Sequence, residues 1–125
     1  MQETADDHIT LVVPATTPYA RIARIGAAAI ALRRGFSFQE IHDLRLAMDE
    51  ALILLLGDHE RAGTIEVDFR VSADRVAIDA AARFDDAPGL TDGGLERFAS
   101  LVGGLVDGYD IDRDIGRIQL TKTRG

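Results

Sequence analysis

The longest apolar pattern of the chain runs from residue 43 to residue 56, DLRLAMDEALILLL. Apolar residues recur there at helical spacing on one wide stripe and also fill most of the opposite side, which predicts a helix covered on more than one face. Asp49 and Glu50 form an acidic pair in its middle. Because isolated burial of a carboxylate is costly, Glu50 must find a partner, lie in a water-filled cleft or take up a proton.

The chain before this helix predicts a strand and a first helix. Residues 8–15, HITLVVPA, are a short β-branched run with a proline near its end, which is typical of an edge strand. A helix over 19–34 follows, with two threonines ahead of Pro18 at its start and Gly35 as its stop. Its arginines supply polar positions, and its apolar residues repeat at helical spacing: Ile22, Ile25, Ala29 and Leu32.

The central helix has a well-defined start, because Ser37 with Glu40 three residues later forms a capping box. Beyond Gly57, residues 64–71 alternate between polar and apolar side chains, and a turn at 72–75 leads into residues 76–84. The simplest interpretation is two antiparallel strands with one buried face.

The last third of the chain predicts one more helix and one more strand. After the turn-forming residues 85–94, a helix over 95–109 is expected, weakened by a glycine pair, and then a strand over 115–123. This order favours an α+β fold, a two-layer α/β sandwich with three helices on one face of a mostly antiparallel sheet of four or five strands. Residues 8–125 then form a single domain, and residues 1–7 form a flexible N-terminus.

Composition and charge exclude several classes of function. The net charge of -7 and the scattered basic residues are unsuited to neutralising phosphates, so we expect no direct nucleic-acid partner. The chain has no cysteine and no apolar run long enough for a membrane span, and we expect a cytoplasmic protein. No metal site is expected either, because the histidines lack ligand spacing and the acidic tract from Asp107 to Asp114 lacks the pattern of a calcium loop. The histidines are His8, His42 and His59.

Several motifs, in this order of elements, match one known family. YARI at 19–22 matches the start of its first helix, DLRLAMDEALILLL at 43–56 its second helix, and GGLERFASLVGGLVDGYDI with IQLTK its last helix and strand. Over residues 9–124 the chain thus resembles the anti-sigma factors with a serine-kinase domain, members of the GHKL (histidine-kinase-like, Bergerat-fold) ATPase superfamily. The resemblance implies a Bergerat-like fold, a homodimer, and a sigma factor and an anti-anti-sigma factor as partners.

The resemblance also implies a catalytic site, from which this sequence departs. Glu50 matches the glutamate that serves as general base, but Leu54, one turn later, takes the place of the asparagine that holds magnesium. A hydrocarbon offers no oxygen to a hard cation, so we expect catalysis to fall by orders of magnitude and Glu50 to be a vestigial base. The competing interpretation is a retained base, with magnesium held by other groups.

The adenine-binding box is altered as well. In the closest register it begins at Asp85, with an alanine for the first glycine and a proline that removes an amide donor; an alternative register puts Ala81 or Ala82 in place of the aspartate. A glycine pair survives before the third helix, where backbone amides can hold an anion. We expect no bound cofactor, and ATP with magnesium enters only if the kinase is active. The residues left for a weak nucleotide site are Asp85, Gly89, Gly93 and Gly94.

On the outer surface, the resemblance assigns a partner contact to the first helix. Arg21 matches the arginine that reaches an acidic group on the sigma factor and on the anti-anti-sigma factor, and Arg24 would widen this basic spot. The alternative for Arg21 is a helix charge that only faces solvent. We expect Asp49 to be exposed or paired with Arg45 at the i, i+4 spacing.

The leading hypothesis is an anti-sigma factor-like regulatory protein that sequesters a sigma factor. A homodimer would be favoured by the apolar run GAAAIA at 26–31, which permits close helix contact. The main alternative is an active ATP-dependent serine kinase that phosphorylates an anti-anti-sigma factor. A third hypothesis is a regulatory subunit that uses this fold for another partner.

Overall fold

The structure is a computed structural model that describes residues 7–57, 61–86 and 94–125. Its strands form one antiparallel sheet in the order β1-β2-β3-β5-β4. The predicted α+β class is confirmed. Of the predicted N-terminal segment, residues 1–6 lie outside the described residues. The elements in chain order are β1 (Asp7–Pro14), α1 (Thr17–Arg33), α2 (Phe38–Leu56), β2 (Gly63–Val71), β3 (Arg75–Phe84), α3 (Leu95–Val102), β4 (Gly108–Asp112) and β5 (Arg117–Thr123).

The sheet has one apolar and one polar face, because side chains alternate along each strand. β1 lies at an edge of the sheet, as its sequence predicts, and pairs with β2. The apolar residues predicted to share a face of β2 are buried, as are those of the neighbouring strands. The buried residues of β2, β3 and β5 are Ile65, Val67, Phe69, Val71, Val76, Ile78, Ala80, Ala82, Ile118 and Leu120.

α1 packs on the sheet through its smallest side chains. It buries Ala20, Ala23, Ala27 and Ala31, and a Cβ built on Gly26 would lie 3.8 Å from the Phe69 ring on β2. The larger apolar residues of the helix face solvent instead, with Ile25 61% and Leu32 68% exposed. The alanine face is the buried one because the large side chains of the sheet already fill the layer between strand and helix.

α2 begins with the predicted capping box. The Ser37 hydroxyl accepts from the Glu40 amide at 3.1 Å, and the Glu40 carboxylate accepts from the Ser37 amide at 2.7 Å. The helix is covered on a wide arc but not all round, since Leu46 and Ile53 are 41% and 55% exposed. Its buried residues are Leu44, Ala47, Met48, Ala51, Leu52, Leu54 and Leu55.

The third helix is shorter than the sequence predicts. α3 ends at Val102, and after Gly103 and Gly104 the chain turns into β4, a strand that the pattern does not reveal. The helix ends there because paired glycines weaken it, and the Tyr109 ring then packs edge-on against Phe98 of α3 at 5.4 Å between centroids. The acidic tract from Asp107 to Asp114 lies partly in a strand: Asp110 and Asp112 belong to β4, and the tract continues into the turn before β5.

Candidate functional site: a groove between two helices and its link to the third

α1 and α2 leave a groove of about 360 Å³ between them. It brings together three residues that the sequence assigns to two separate sites: the surface arginines Arg21 and Arg24, and Glu50 of the catalytic site. Leu46 and Ile53 of α2 form apolar parts of the wall. The predicted partner contact and the predicted catalytic glutamate thus open onto one groove.

Arg24 is held inside this groove by an ion pair. Its guanidinium donates to the Asp49 carboxylate at 3.1 Å, and both side chains are about one third exposed, at 31% and 33%. The predicted pairing of Asp49 with Arg45 is therefore wrong. The packing of α1 against α2 places Arg24 beside Asp49, and this contact between two half-buried groups prevails over a pairing along the helix surface, which is worth only a few tenths of a kcal/mol.

Arg21, three residues earlier, is exposed on α1. Within the parts of the chain that the structure describes, its guanidinium forms neither an ion pair nor a hydrogen bond. Because Arg24 is occupied by Asp49, Arg21 is the arginine of this pair that offers a complete set of donors to another molecule.

Glu50 has the partner that its position demands, and that partner lies on α3. Arg97 donates from Nε to one carboxylate oxygen at 3.2 Å and from Nη2 to the other at 3.4 Å, while the Glu50 side chain is only 16% exposed. The hydrogen bonds and charge of Glu50 raise the pKa of Arg97, so the guanidinium stays charged. Each Glu50 oxygen thus accepts one hydrogen bond from Arg97 and keeps a second lone pair.

The sequence did not reveal Arg97. The one signal is indirect: a carboxylate in the middle of an apolar helix requires a cation or water nearby. Which cation it is depends on how α3 docks on α2, and no local pattern encodes that docking.

Leu54 occupies the space in front of α3. Its side chain is 4% exposed, and a Cβ built on Gly94, the residue before the first turn of α3, would lie 3.3 Å from Leu54 Cδ1. Gly94 has φ of 89°, a left-handed conformation that glycine adopts without strain. The predicted magnesium position therefore carries a buried hydrocarbon close to Gly94, and a hydrocarbon offers no oxygen to a magnesium ion.

The remaining nucleotide-site candidates are only partly described. Asp85 is exposed in the bend after β3, and its amide donates to the Ala62 carbonyl at 2.8 Å. Gly89 and Gly93 lie outside the described residues. For the alternative register, Ala82 is buried, and its amide donates to the Gly116 carbonyl at 2.9 Å.

Among residues 7–57, 61–86 and 94–125, no three histidine, aspartate or glutamate side chains are grouped so that they could hold a metal ion. His8 lies 3.2 Å from Asp68 across the β1-β2 pair, His42 is exposed, and His59 lies outside the described residues. In the same ranges, no helix is long and apolar enough to cross a membrane.

No known protein-family model matches the chain. It is, however, 33% identical over 78 residues to the serine-protein kinase RsbW of Listeria innocua, 32% over 80 residues to that of Oceanobacillus iheyensis, and 30% over 111 residues to that of Bacillus cereus. These alignments cover 60%, 62% and 87% of this chain. They cover 50%, 51% and 63% of the relatives, so the chain spans about half the length of the first two.

The five-stranded antiparallel sheet with its helices is an α+β fold consistent with a GHKL-like domain. Within that class, the resemblance drawn from the sequence is confirmed: the chain is a homologue of the serine-protein kinases RsbW.

Proposed function

We propose that this protein is an anti-sigma factor that sequesters a sigma factor by protein binding alone, with an ATP site that no longer supports catalysis. The observation that carries the proposal is Leu54, buried against Gly94 where a magnesium ligand is expected. Without that ligand, the charge of a transferred phosphoryl group would not be neutralised by a bound metal. Sequestration, in contrast, requires only a complementary surface.

Arg21 is the residue that we propose for the contact with the sigma factor. It is exposed beside the α1-α2 groove, whereas Arg24 next to it is engaged by Asp49. A guanidinium can bind a carboxylate through two parallel hydrogen bonds, which gives both orientation and affinity. Release would then follow from competition by an anti-anti-sigma factor for the same arginine.

We also propose a homodimer, but not through the run at 26–31. Ala27 and Ala31 of that run are buried in the core, and Gly26 packs over Phe69. The open edge of β1 is the better candidate, because Ile9 and Val12 are 45% and 55% exposed and an unpaired strand edge can extend a sheet into a second copy.

The function is tested with the sigma factors of the source genome, each purified and titrated against the purified protein. We expect at least one to bind, and Arg21→Glu to weaken that binding about tenfold or more, because a charge-assisted contact becomes a repulsion. Arg70→Glu, on the polar face of the sheet, is the matched control and should leave binding unchanged. If none of the sigma factors binds, the proposal is wrong.

The second candidate is an active serine kinase, favoured by the names of the relatives and by the retained Glu50. Calorimetry with ATP, in the presence and absence of magnesium, separates the two candidates. For the binding module we expect no magnesium-dependent ATP binding. For a kinase, ATP at 100 times its dissociation constant would stabilise the fold by about 2.7 kcal/mol in a thermal-shift assay.

A further inference from the structure

The solvent face of α1 carries an apolar stripe that the core does not use. Ile22 and Ile25 are 43% and 61% exposed, Leu32 is 68% exposed, and Ala29 between them is exposed as well. Their spacing of three, four and three residues is that of alternating a and d positions in a heptad repeat. We call this stripe, from Ile22 to Leu32, the α1 seam.

The flanks of the α1 seam are basic. In the same heptad register Arg21 occupies a g position and Arg33 an e position, the two places from which charges reach a neighbouring helix. Among the described residues neither guanidinium forms an ion pair, and α1 contains no acidic residue from Thr17 to Arg33. The seam therefore presents apolar knobs with uncompensated positive charge on both sides.

A second copy of α1 is a poor occupant of this seam. Packed in either direction about the middle of the stripe, two copies would bring two arginines and no acidic residue of α1 to each end of the pair: Arg21 with the other copy's Arg33 when antiparallel, and like with like when parallel. Like charges at these positions oppose pairing. A lipid surface fits poorly too, because the net charge of -7 repels anionic headgroups.

We propose that the α1 seam docks one amphipathic helix of a partner protein, with leucine-like residues on its apolar stripe and acidic residues on the flanks. The inference deepens the proposed function, since it places a helix of the sequestered protein on α1 and assigns the flanking charges to Arg21 and Arg33. The two helices would pack side by side along about 15 Å, the helical rise over the ten steps from Ile22 to Leu32.

The probe is a synthetic three-heptad peptide with leucine at a and d and glutamate at e and g, titrated against the full chain by fluorescence anisotropy. A second peptide carries lysine in place of every glutamate. We expect the glutamate peptide to bind about tenfold tighter or more, because two exposed arginine contacts change from attraction to repulsion. The preference should shrink as salt is raised, and the Arg21→Glu, Arg33→Glu double variant should reverse it.

Ile25→Asp tests the apolar part of the seam. Because Ile25 is exposed, the variant should fold, and it should weaken binding of the glutamate peptide about tenfold or more through the loss of a buried anchor. Ile115→Asp, which changes an isoleucine that is 52% exposed in the turn before β5, is the matched control and should bind like the wild type.

Four results would overturn the inference: equal binding of both peptides, no effect of Ile25→Asp, binding to phosphatidylglycerol vesicles that Ile25→Asp abolishes, or self-association that Ile25→Asp abolishes. Failure of the seam and failure of the proposed function are distinguishable. If a sigma factor binds the protein and Ile25→Asp does not weaken that complex, the seam is wrong and the function stands. If no sigma factor binds while the glutamate peptide does so through Ile25, the function is wrong and the seam stands.

Discussion

Two adjacent residues of α2 show how position on a helix decides the role of a hydrocarbon. Leu54 is 4% exposed and fills the space in front of α3, whereas Ile53 is 55% exposed on the outer surface. A hydrocarbon side chain is therefore buried beneath α3 at one position and lines an open groove at the neighbouring one. The difference in burial between Leu54 and Ile53 can be measured through the free energy of unfolding of their alanine variants.

Leu54→Ala should lower the free energy of unfolding by about 2–5 kcal/mol, since it removes a buried side chain and leaves a cavity beside Gly94. Ile53→Ala is the matched control and should change it by about 0.5 kcal/mol or less. Urea denaturation measures both. A loss for Leu54→Ala as small as that of the control would contradict the burial of Leu54 against α3.

For single residues, the sequence predicts which side chain requires a counter-charge better than it predicts which residue supplies that charge. That Glu50 requires a counter-charge follows from its place in an apolar helix, but Arg97 lies 47 positions away, and its approach depends on how α3 docks. For the same reason the local i, i+4 rule proposed Arg45 for Asp49, whereas the packing of α1 on α2 supplies Arg24.

The start of α2 is the most firmly specified element boundary in the chain. Besides its role in the capping box, the Glu40 carboxylate accepts from the Gly125 amide at 2.6 Å, so it joins the helix start to the segment after β5. Hydrogen bonds from the backbone amides of Ser37 and Gly125 lower the pKa of Glu40 from its usual 4.5.

The lowered pKa has a defined pH dependence. A carboxyl group whose pKa is lower in the folded state contributes stability that is present above its unfolded value of 4.5 and is lost as pH falls through the folded value. We therefore expect the urea concentration at the unfolding midpoint to fall as the pH is lowered below about 5. We expect Glu40→Gln to make this midpoint depend less on pH. Ser37→Ala, which keeps the carboxylate, should lower stability by about 1 kcal/mol at neutral pH. An unchanged pH profile for Glu40→Gln would contradict this account.

α3 is a short helix whose attachment depends on few contacts with α2. Arg97→Gln removes the paired hydrogen bonds to Glu50, so the amides of α3 should exchange faster with deuterium while those of the strands do not. Glu96→Gln, one residue earlier and exposed, is the control for hydrogen-exchange mass spectrometry. Unchanged protection of α3 in Arg97→Gln would show that Leu54 and the apolar contacts alone hold this helix.

The elements that the sequence predicts well are those with a strong period or an explicit boundary signal, such as β2 and the start of α2. β4 has neither: GYDID is short, acidic and largely exposed, so nothing in its pattern indicates a strand. The buried side of α1 is not evident from the sequence either, because alanine is ambiguous as an apolar signal and the larger residues Ile22, Ile25 and Leu32 face solvent. The space left by the side chains of the sheet determines which of the two faces of α1 packs against it, and that space is not encoded in the sequence of the helix.

For the molecule as a whole, the edge of the sheet at β1 is the feature on which the proposed dimer depends. β1 ends the strand order on one side, and among residues 7–57, 61–86 and 94–125 it pairs with β2 alone. Between the charged Asp7 at its start and Pro14 at its end, β1 offers little protection against pairing, since the exposed Val12 is an apolar residue of high strand propensity.

Val12→Lys should convert the proposed dimer into a monomer, because a lysine on an edge strand opposes extension of the sheet. Sedimentation velocity over a range of protein concentrations measures the change. Thr121→Lys, on the interior strand β5, is the control and should leave the assembly state as it is in the wild type. A dimer that persists in Val12→Lys would exclude the β1 edge as the interface.

The alanine contact between α1 and the sheet has one further consequence. Because α1 rests on the strands through the methyl groups of its buried alanines, these small side chains set the distance between the helix and the sheet. A bulkier residue at Ala27 would raise the whole helix and carry its outward side chains with it. A substitution of a buried alanine of α1 would therefore change the affinity for a bound protein, although every residue that touches that protein stays the same.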